Sequence, residues 1–136
     1  MLFVCSGNRA RSQMAEGLAR RLAPRGVEVF SAGTHPHPQG VHPMAIEVMR
    51  ERGVDISHHH PKSLAVLPGE FDYVITLCAE ADAECPTLPA RRERLAWHLA
   101  DPALVAGEQE RTAFAEARDC IEALLRELFS KSPFAA

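Results

Sequence analysis

Cys5 and Arg11 are separated by five residues, Ser6-Gly7-Asn8-Arg9-Ala10, and Ser12 follows at once. A short apolar run, Leu2-Phe3-Val4, precedes the cysteine, and a helical pattern follows the arginine. That order restricts the local fold to a strand, a tight loop and a helix N-terminus in direct succession. Consecutive backbone N–H groups in such a loop curl into a nest that holds a tetrahedral oxyanion. The same dipoles favour the thiolate form of a cysteine held there, which makes Cys5 a candidate nucleophile. Arg11 offers a planar, permanently charged fork for two oxygens of the anion. Ser12 is placed to donate a hydrogen bond to the thiolate or to the departing sulfur. The candidate oxyanion-binding residues are therefore Ser6, Gly7, Asn8, Arg9, Ala10 and Arg11. A buried strand-end cysteine beside a helix-starting arginine accounts for a bare cysteine–arginine pair. It does not account for Gly7, Asn8 and Ser12 lying between strand and helix.

The chain has 136 residues, 46% of them hydrophobic and 24% charged. These values suit one compact catalytic domain spanning residues 1–136. A net charge of −3 argues against a nucleic-acid partner. No apolar stretch approaches the length of a membrane span, and Leu2-Phe3-Val4 lacks the length and basic flank of a signal peptide. Four cysteines without an export signal lead to the expectation of a reducing cytoplasm.

Strands and helices alternate along the chain. Leu2–Val4, Val27–Ser31, Tyr73–Leu77 and Leu95–Leu99 read as strands. Met14, Ala15, Leu18 and Leu22 recur at helical spacing and stop at Pro24-Arg25-Gly26. Residues 34–41, rich in Pro, His and Gly, read as an exposed loop. Pro43 starts a second helix, with Gly53 as its C-terminal cap. Phe114, Ala117, Ile121, Leu124, Leu125 and Leu128 form one stripe on a long final helix, and Cys120 lies at the edge of that stripe as a core or boundary residue. The expected fold is α/β: a single three-layer domain with a four-stranded parallel sheet and helices on both faces. Ligands of such sheets bind at the carboxyl ends of the strands, where Cys5 sits.

Two further features fall on that edge. Cys78 follows a strand directly, and Cys85 lies seven residues on in a polar segment of helical propensity. In a helix that spacing is about 10 Å, beyond the Cα separation of about 7 Å that a disulfide tolerates. Pairing of these thiols therefore needs the segment to rearrange. Two unrelated thiols is the plainer reading, and a zinc site lacks the usual close cysteine pair. Asp101-Pro102 follows the last strand, where proline holds the chain and the carboxyl group can protonate a leaving oxygen.

With these residues the chain resembles the thioredoxin-coupled arsenate reductases built on the low-molecular-weight protein tyrosine phosphatase fold. The resemblance covers nearly the whole chain. It runs from the Cys5–Arg11 loop through Ser12-Gln13-Met14-Ala15-Glu16, Phe30-Ser31-Ala32-Gly33, Thr76-Leu77-Cys78 and Cys85-Pro86 to Asp101-Pro102. Phosphatases and reductases share the loop, and the Cys78 and Cys85 pair marks the reductase branch. The phosphatase branch carries an aromatic pair just after its Asp-Pro, where Ala103 and Leu104 stand here. The resemblance implies the following chemistry. The Cys5 thiolate attacks arsenate held by the loop amides and Arg11, and Asp101 protonates the departing hydroxyl. Cys78 then attacks the Cys5–arsenic adduct, releasing arsenite and leaving a Cys5–Cys78 disulfide. Cys85 attacks Cys78, and thioredoxin reduces the resulting Cys78–Cys85 disulfide.

The chain departs from the family pattern at two places. Arg9 replaces a small residue, adding positive charge to the loop or extending into solvent. The resemblance also implies a potassium site made by Asn8, Glu16 and Ser31, with a further carboxylate ligand. Lys62 falls at that ligand's position, and its ammonium can take the ion's electrostatic place, so no bound cofactor is expected. His35, His37, His42 and His58-His59-His60 lack the spacing of metal ligands on a helix and read as solvated loop residues. Glu80, Asp82 and Glu84 read as a solvated acidic face.

Two other functions fit the same residues. One is a phosphatase acting on small phosphomonoesters or phosphotyrosine, with Cys78 and Cys85 protecting Cys5 from overoxidation. The other is an oxyanion- or redox-sensing module without turnover.

Overall fold

The computed structural model describes residues 1–67, 69–84 and 88–134. Four parallel strands form one sheet: β1 (Leu2–Cys5), β2 (Phe30–Gly33), β3 (Phe71–Thr76) and β4 (Ala90–Ala96), in the spatial order β2-β1-β3-β4. Four α-helices connect and cover them: α1 (Arg11–Leu22), α2 (Pro43–Arg50), α3 (Ala79–Glu84) and α4 (Glu110–Phe129).

The topology follows from chirality. The β1–α1–β2 crossover runs one way across the sheet and β3–α3–β4 runs the other. Both must be right-handed, so α1 and α3 lie on opposite faces. Helix α4 packs beside α1 and α2, which gives the expected three-layer arrangement. The direction of strand order reverses between β1 and β3. A crevice opens there at the carboxyl ends of the two strands, where Cys5 and Cys78 emerge.

Sequence and structure agree best where both faces of a strand are buried. All four residues of β1 are buried, as are the last four of β3. The stripe on α4 is real: Phe114, Ile121 and Leu125 are fully enclosed, and the His42 ring, just before α2, packs tilted on Phe114 with ring centroids 4.6 Å apart. Pro43 occupies the first turn of α2, capped by the His42 ring, which accepts from the Met44 N–H at 3.1 Å. Gly53, at φ +72°, closes the turn after that helix with the backbone twist that glycine tolerates best.

The strand limits differ at the edges of the sheet. β2 begins at Phe30 rather than Val27, because its partner β1 begins at Leu2 and the two pair from Leu2 with Phe30 to Cys5 with Gly33. β4 begins at Ala90 and ends at Ala96 rather than spanning Leu95–Leu99. It is an edge strand carrying Arg91, Arg92, Glu93 and Arg94, charges that guard an open edge but hide it from a search for apolar runs. Cys120 is a correction: it is exposed on α4, because the stripe turns past it toward Ile121. None of the described helices is long and apolar enough to cross a membrane.

Candidate active site

The Cys5 loop is shaped from outside by residues 34–42. Carbonyls on the loop's outer side accept N–H groups from that segment: Thr34 to Cys5 at 3.2 Å, His35 to Ser6 at 2.9 Å, His37 to Gly7 at 2.9 Å and His42 to Arg9 at 3.0 Å. Among the described residues, the backbone N–H groups of residues 7–10 donate to no other protein group. Helix α1 adds to this surplus of donors, since Ala10 at its N-cap has no side chain to satisfy the first turn. Unpaired N–H groups converging on a helix start are the makings of an anion site.

A cavity of about 320 Å³ opens over the loop, lined by Cys5, Ser6, Gly7, Arg9, Ala10 and Arg11 together with His35, His37, Asp101 and Ala103. Arg11 is only 8% exposed. Its guanidinium donates to the Leu99 carbonyl at 2.8 Å and stands 3.6 Å from the Asp101 carboxylate. Asp101 in turn accepts from the Ala103 N–H at 3.0 Å, capping a short turn at Pro102–Leu104. Asp101 and Cys5 thus line one cavity. No Phe, Tyr or Trp side chain lines this cavity among the described residues. Arg9 lines it, and its Nε donates to the Gly40 carbonyl at 3.1 Å.

Asn8 does not line the cavity. It is fully buried behind the loop, in a left-handed conformation at φ +50°. Its Nδ2 donates to Ser12 Oγ at 2.7 Å and to Ser31 Oγ at 3.0 Å. Ser12 Oγ lies 2.8 Å from Cys5 Sγ. Since Ser12 already accepts from Asn8, its own hydroxyl hydrogen is free to point at the Cys5 sulfur. The site residues Cys5, Ser12 and Asn8 are therefore one hydrogen-bonded chain.

Gly33, at the end of β2, lets the loop lie against the sheet. A Cβ there would sit 2.6 Å from the Ser6 carbonyl oxygen and 3.0 Å from the Asn8 Cβ. Gly33→Ala is expected to push Ser6–Asn8 outward, costing about 1–3 kcal/mol of stability and about tenfold in inorganic phosphate affinity. Thermal unfolding and calorimetric titration check both values.

Cys78 is buried directly after β3, while Leu77 N donates to the Val4 carbonyl at 2.8 Å. Cys5 and Cys78 thus leave the ends of adjacent parallel strands, whose spacing is about 4.8 Å. Burial pushes the Cys78 thiol above its ordinary range, opposed by the Ala81 N–H, the Arg11 charge and the Ser6 N–H. The Ala81 N–H lies 3.4 Å from its sulfur. The expected partner, Cys85, lies outside the described residues.

The acidic side chains after Cys78 are more engaged than a solvated face would be. Asp82 accepts from Arg94 at 2.8 Å and Thr76 at 3.2 Å, and Glu84 pairs with Thr34 and His35. Glu80 and Glu84 are exposed, as read from the sequence, but the Glu80 carboxylate is held below its ordinary range by its own N–H and by the Cys78 thiol. The histidines need correction in part. His35, His58 and His60 are exposed as read, His35 and His37 line the cavity, His42 caps α2, and His59 is half-buried against Gln13 at 3.0 Å. Burial lowers His42 and His59 below the ordinary imidazole value.

Asn8, Glu16 and Ser31 do come together, but their oxygens are already taken. Asn8 Oδ1 accepts from Gln13 Nε2 at 3.2 Å and from the Lys62 N–H at 3.0 Å. Glu16 Oε1 accepts from the Ser31 hydroxyl at 2.6 Å and lies 3.5 Å from Lys62 Nζ. Glu16 Oε2 lies 3.2 Å from Arg20 and 3.5 Å from His59. This set does not fit an added potassium ion. Among the described residues no group of three or more His, Cys, Asp and Glu is placed to hold a metal.

Comparison with known proteins agrees with this geometry. The family model described as low molecular weight phosphotyrosine protein phosphatase matches residues 1–133. An arsenate reductase of Staphylococcus xylosus is 44% identical over 102 residues, covering 74% of this chain and 76% of that protein. A thioredoxin-dependent arsenate reductase of Corynebacterium glutamicum superposes with a TM-score of 0.70 at 33% identity, over 95% of this chain and 59% of that one. An arsenate reductase in a phosphate-binding state superposes with a TM-score of 0.69 at 31% identity, over 93% of this chain and 95% of that one. The chain belongs to the low molecular weight phosphotyrosine protein phosphatase family.

Proposed function

We propose that this protein is an arsenate reductase that uses Cys5, Cys78 and Cys85 in turn and is reset by thioredoxin. The observation that carries the reading is the second thiol, Cys78, at the end of the strand next to the one that bears Cys5. A phosphatase needs one cysteine; delivery of two electrons to arsenic needs a second within reach of the first.

The steps balance as follows. The Cys5 thiolate bonds to arsenic while a hydroxyl group leaves, takes the Asp101 proton and departs as water. Arg11 and the loop N–H groups stabilise the charge on the remaining oxygens. Cys78 loses its proton and attacks Cys5 sulfur. The sulfur–arsenic bond breaks with its electron pair left on arsenic, giving arsenite and a Cys5–Cys78 disulfide. Cys85 attacks Cys78 and frees Cys5, and a dithiol of the thioredoxin type reduces the Cys78–Cys85 disulfide. This assigns residues 1–136 to one catalytic domain, with the reducing cytoplasm as its setting. The partners are arsenate or a phosphate-like oxyanion and thioredoxin.

The cavity supports the oxyanion as a small one. Ala103 lines the wall and no Phe, Tyr or Trp does so among the described residues, which leaves no large apolar ring to grip a phenyl group. Hydrolysis of phosphoesters through the same Cys5, Arg11 and Asp101 is expected as a residual activity.

The deciding experiment follows arsenate-dependent NADPH consumption with thioredoxin and thioredoxin reductase, comparing the intact protein with Cys85→Ser. Sustained turnover of the intact protein, with the variant stopping after about one equivalent, supports the relay. Hydrolysis of a phenyl phosphate by both, without NADPH consumption, makes the chain a phosphatase instead.

A further inference from the structure

Glu16 is 3% exposed, on the second turn of α1, and its carboxylate is the far end of the chain that leads through Ser31, Asn8 and Ser12 to the Cys5 sulfur. A buried carboxylate costs free energy unless cations and hydrogen bonds compensate it. Arg20 pairs with Oε2 at 3.2 Å, and Lys62 serves the Oε1 side. Its Nζ stands 3.5 Å from Glu16 Oε1 and 3.4 Å from Ser31 Oγ, while its own N–H bonds Asn8 Oδ1 at 3.0 Å and its carbonyl accepts from Gly33 N at 2.8 Å. Lys62 is therefore fastened by its backbone to the loop and to β2, with its ammonium placed into the oxygen cluster.

The Glu16 carboxylate only accepts, so the Ser31 hydroxyl donates to it, while Ser31 Oγ accepts from Asn8 Nδ2 and from the Lys62 ammonium. Asn8 is then held with its amide toward Ser12, leaving the Ser12 hydrogen for Cys5. Without the Lys62 ammonium, Arg20 at Glu16 Oε2 remains as a cation on the far oxygen, and the Oε1 and Ser31 side of the cluster has lost its own.

We infer that Lys62 is a positioning residue whose ammonium serves as a built-in monovalent cation for the Cys5 loop, so that removing it opens a site for a free alkali cation. The site left behind would offer the hard oxygens of Glu16 and Ser31, donors suited to sodium or potassium. The inference rests on the reading of the loop as an oxyanion site, not on arsenate reduction.

The test measures inorganic phosphate affinity and thermal unfolding of the wild type, Lys62→Gln and Lys62→Arg, at equal ionic strength in choline, sodium or potassium chloride. Wild type and Lys62→Arg are expected to behave alike in all three salts. In choline chloride Lys62→Gln is expected to bind phosphate about tenfold more weakly and to unfold about 3–6 °C lower. Potassium or sodium chloride should restore both. A wild type that needs an alkali cation would overturn the inference, as would a Lys62→Gln variant that matches wild type in choline or stays impaired in every salt. If Lys62→Gln fails to fold in choline chloride, folding in potassium or sodium chloride supports the inference, and failure in all three overturns it. Wild-type protein that binds no phosphate in any salt would instead overturn the oxyanion reading.

Discussion

Cys5→Ser is expected to abolish arsenate reduction, by at least about 10⁴-fold, while phosphate affinity changes by less than about threefold. The two effects separate because different atoms carry them. The sulfur forms the covalent bond and accepts the electron pair of the next thiol, and a serine oxygen does neither. Anion binding rests on the N–H groups of the loop, whose carbonyls are tied outward to residues 34–42, and on Arg11, held by Leu99 and Asp101. None of those contacts uses the Cys5 side chain. Its partner, Ser12, keeps its bond to Asn8 in the variant. Steady-state kinetics with thioredoxin, beside a calorimetric phosphate titration, checks both halves. Sustained turnover by Cys5→Ser would remove the nucleophile from the scheme, and loss of phosphate binding would mean that the sulfur itself shapes the loop.

Cys78→Ser is expected to stop steady-state turnover as completely, but at a later point. The Cys5–arsenic adduct still forms, and no thiol is in place to displace arsenite from it. Mass spectrometry of the variant after exposure to arsenate should find no Cys5–Cys78 disulfide, whereas Cys85→Ser should accumulate it. A pH dependence accompanies this step. Burial raises the Cys78 thiol above its ordinary range, so at neutral pH the protonated form dominates. Its reactive thiolate then increases about tenfold for each unit of pH until the thiol ionises. Single-turnover disulfide formation in Cys85→Ser should therefore accelerate steadily from pH 7 to 9. A flat profile would place the slow step elsewhere, in the chemistry at arsenic.

Lys62 adds a different kind of control over the same cavity. Cys5, Cys78 and Asp101 act on the reacting atoms, whereas Lys62 and Glu16 act through Ser31, Asn8 and Ser12 on the orientation of one hydroxyl group. A charge buried behind the loop is shielded from the salt that screens surface pairs. Its influence on Cys5 should therefore persist at ionic strengths that weaken oxyanion binding.

Much of this protein is written in contiguous residues. The loop from Cys5 to Ser12 is legible because a nest, a nucleophile and an arginine fork need neighbouring positions on one turn of chain, and the buried runs of β1 and β3 mark the strands that support it. Cys78 and Asp101 are legible as candidates because each follows a strand, and a parallel sheet collects its strand ends on one edge. The tertiary structure alone decided which side chains meet behind and above that loop. His35 and His37 reach the cavity because residues 34–42 fold back to satisfy the loop's outer carbonyls, an obligation of buried backbone that no spacing reveals. Glu16 became the end of the Cys5 hydrogen-bond chain because β2 and the segment after α2 bring Ser31 and Lys62 against α1. Cys120 turned outward because a helical stripe about 100° wide leaves adjacent residues on different faces. Motifs confined to one stretch of backbone obey local geometry, while partners from distant stretches are chosen by packing, which depends on every element at once.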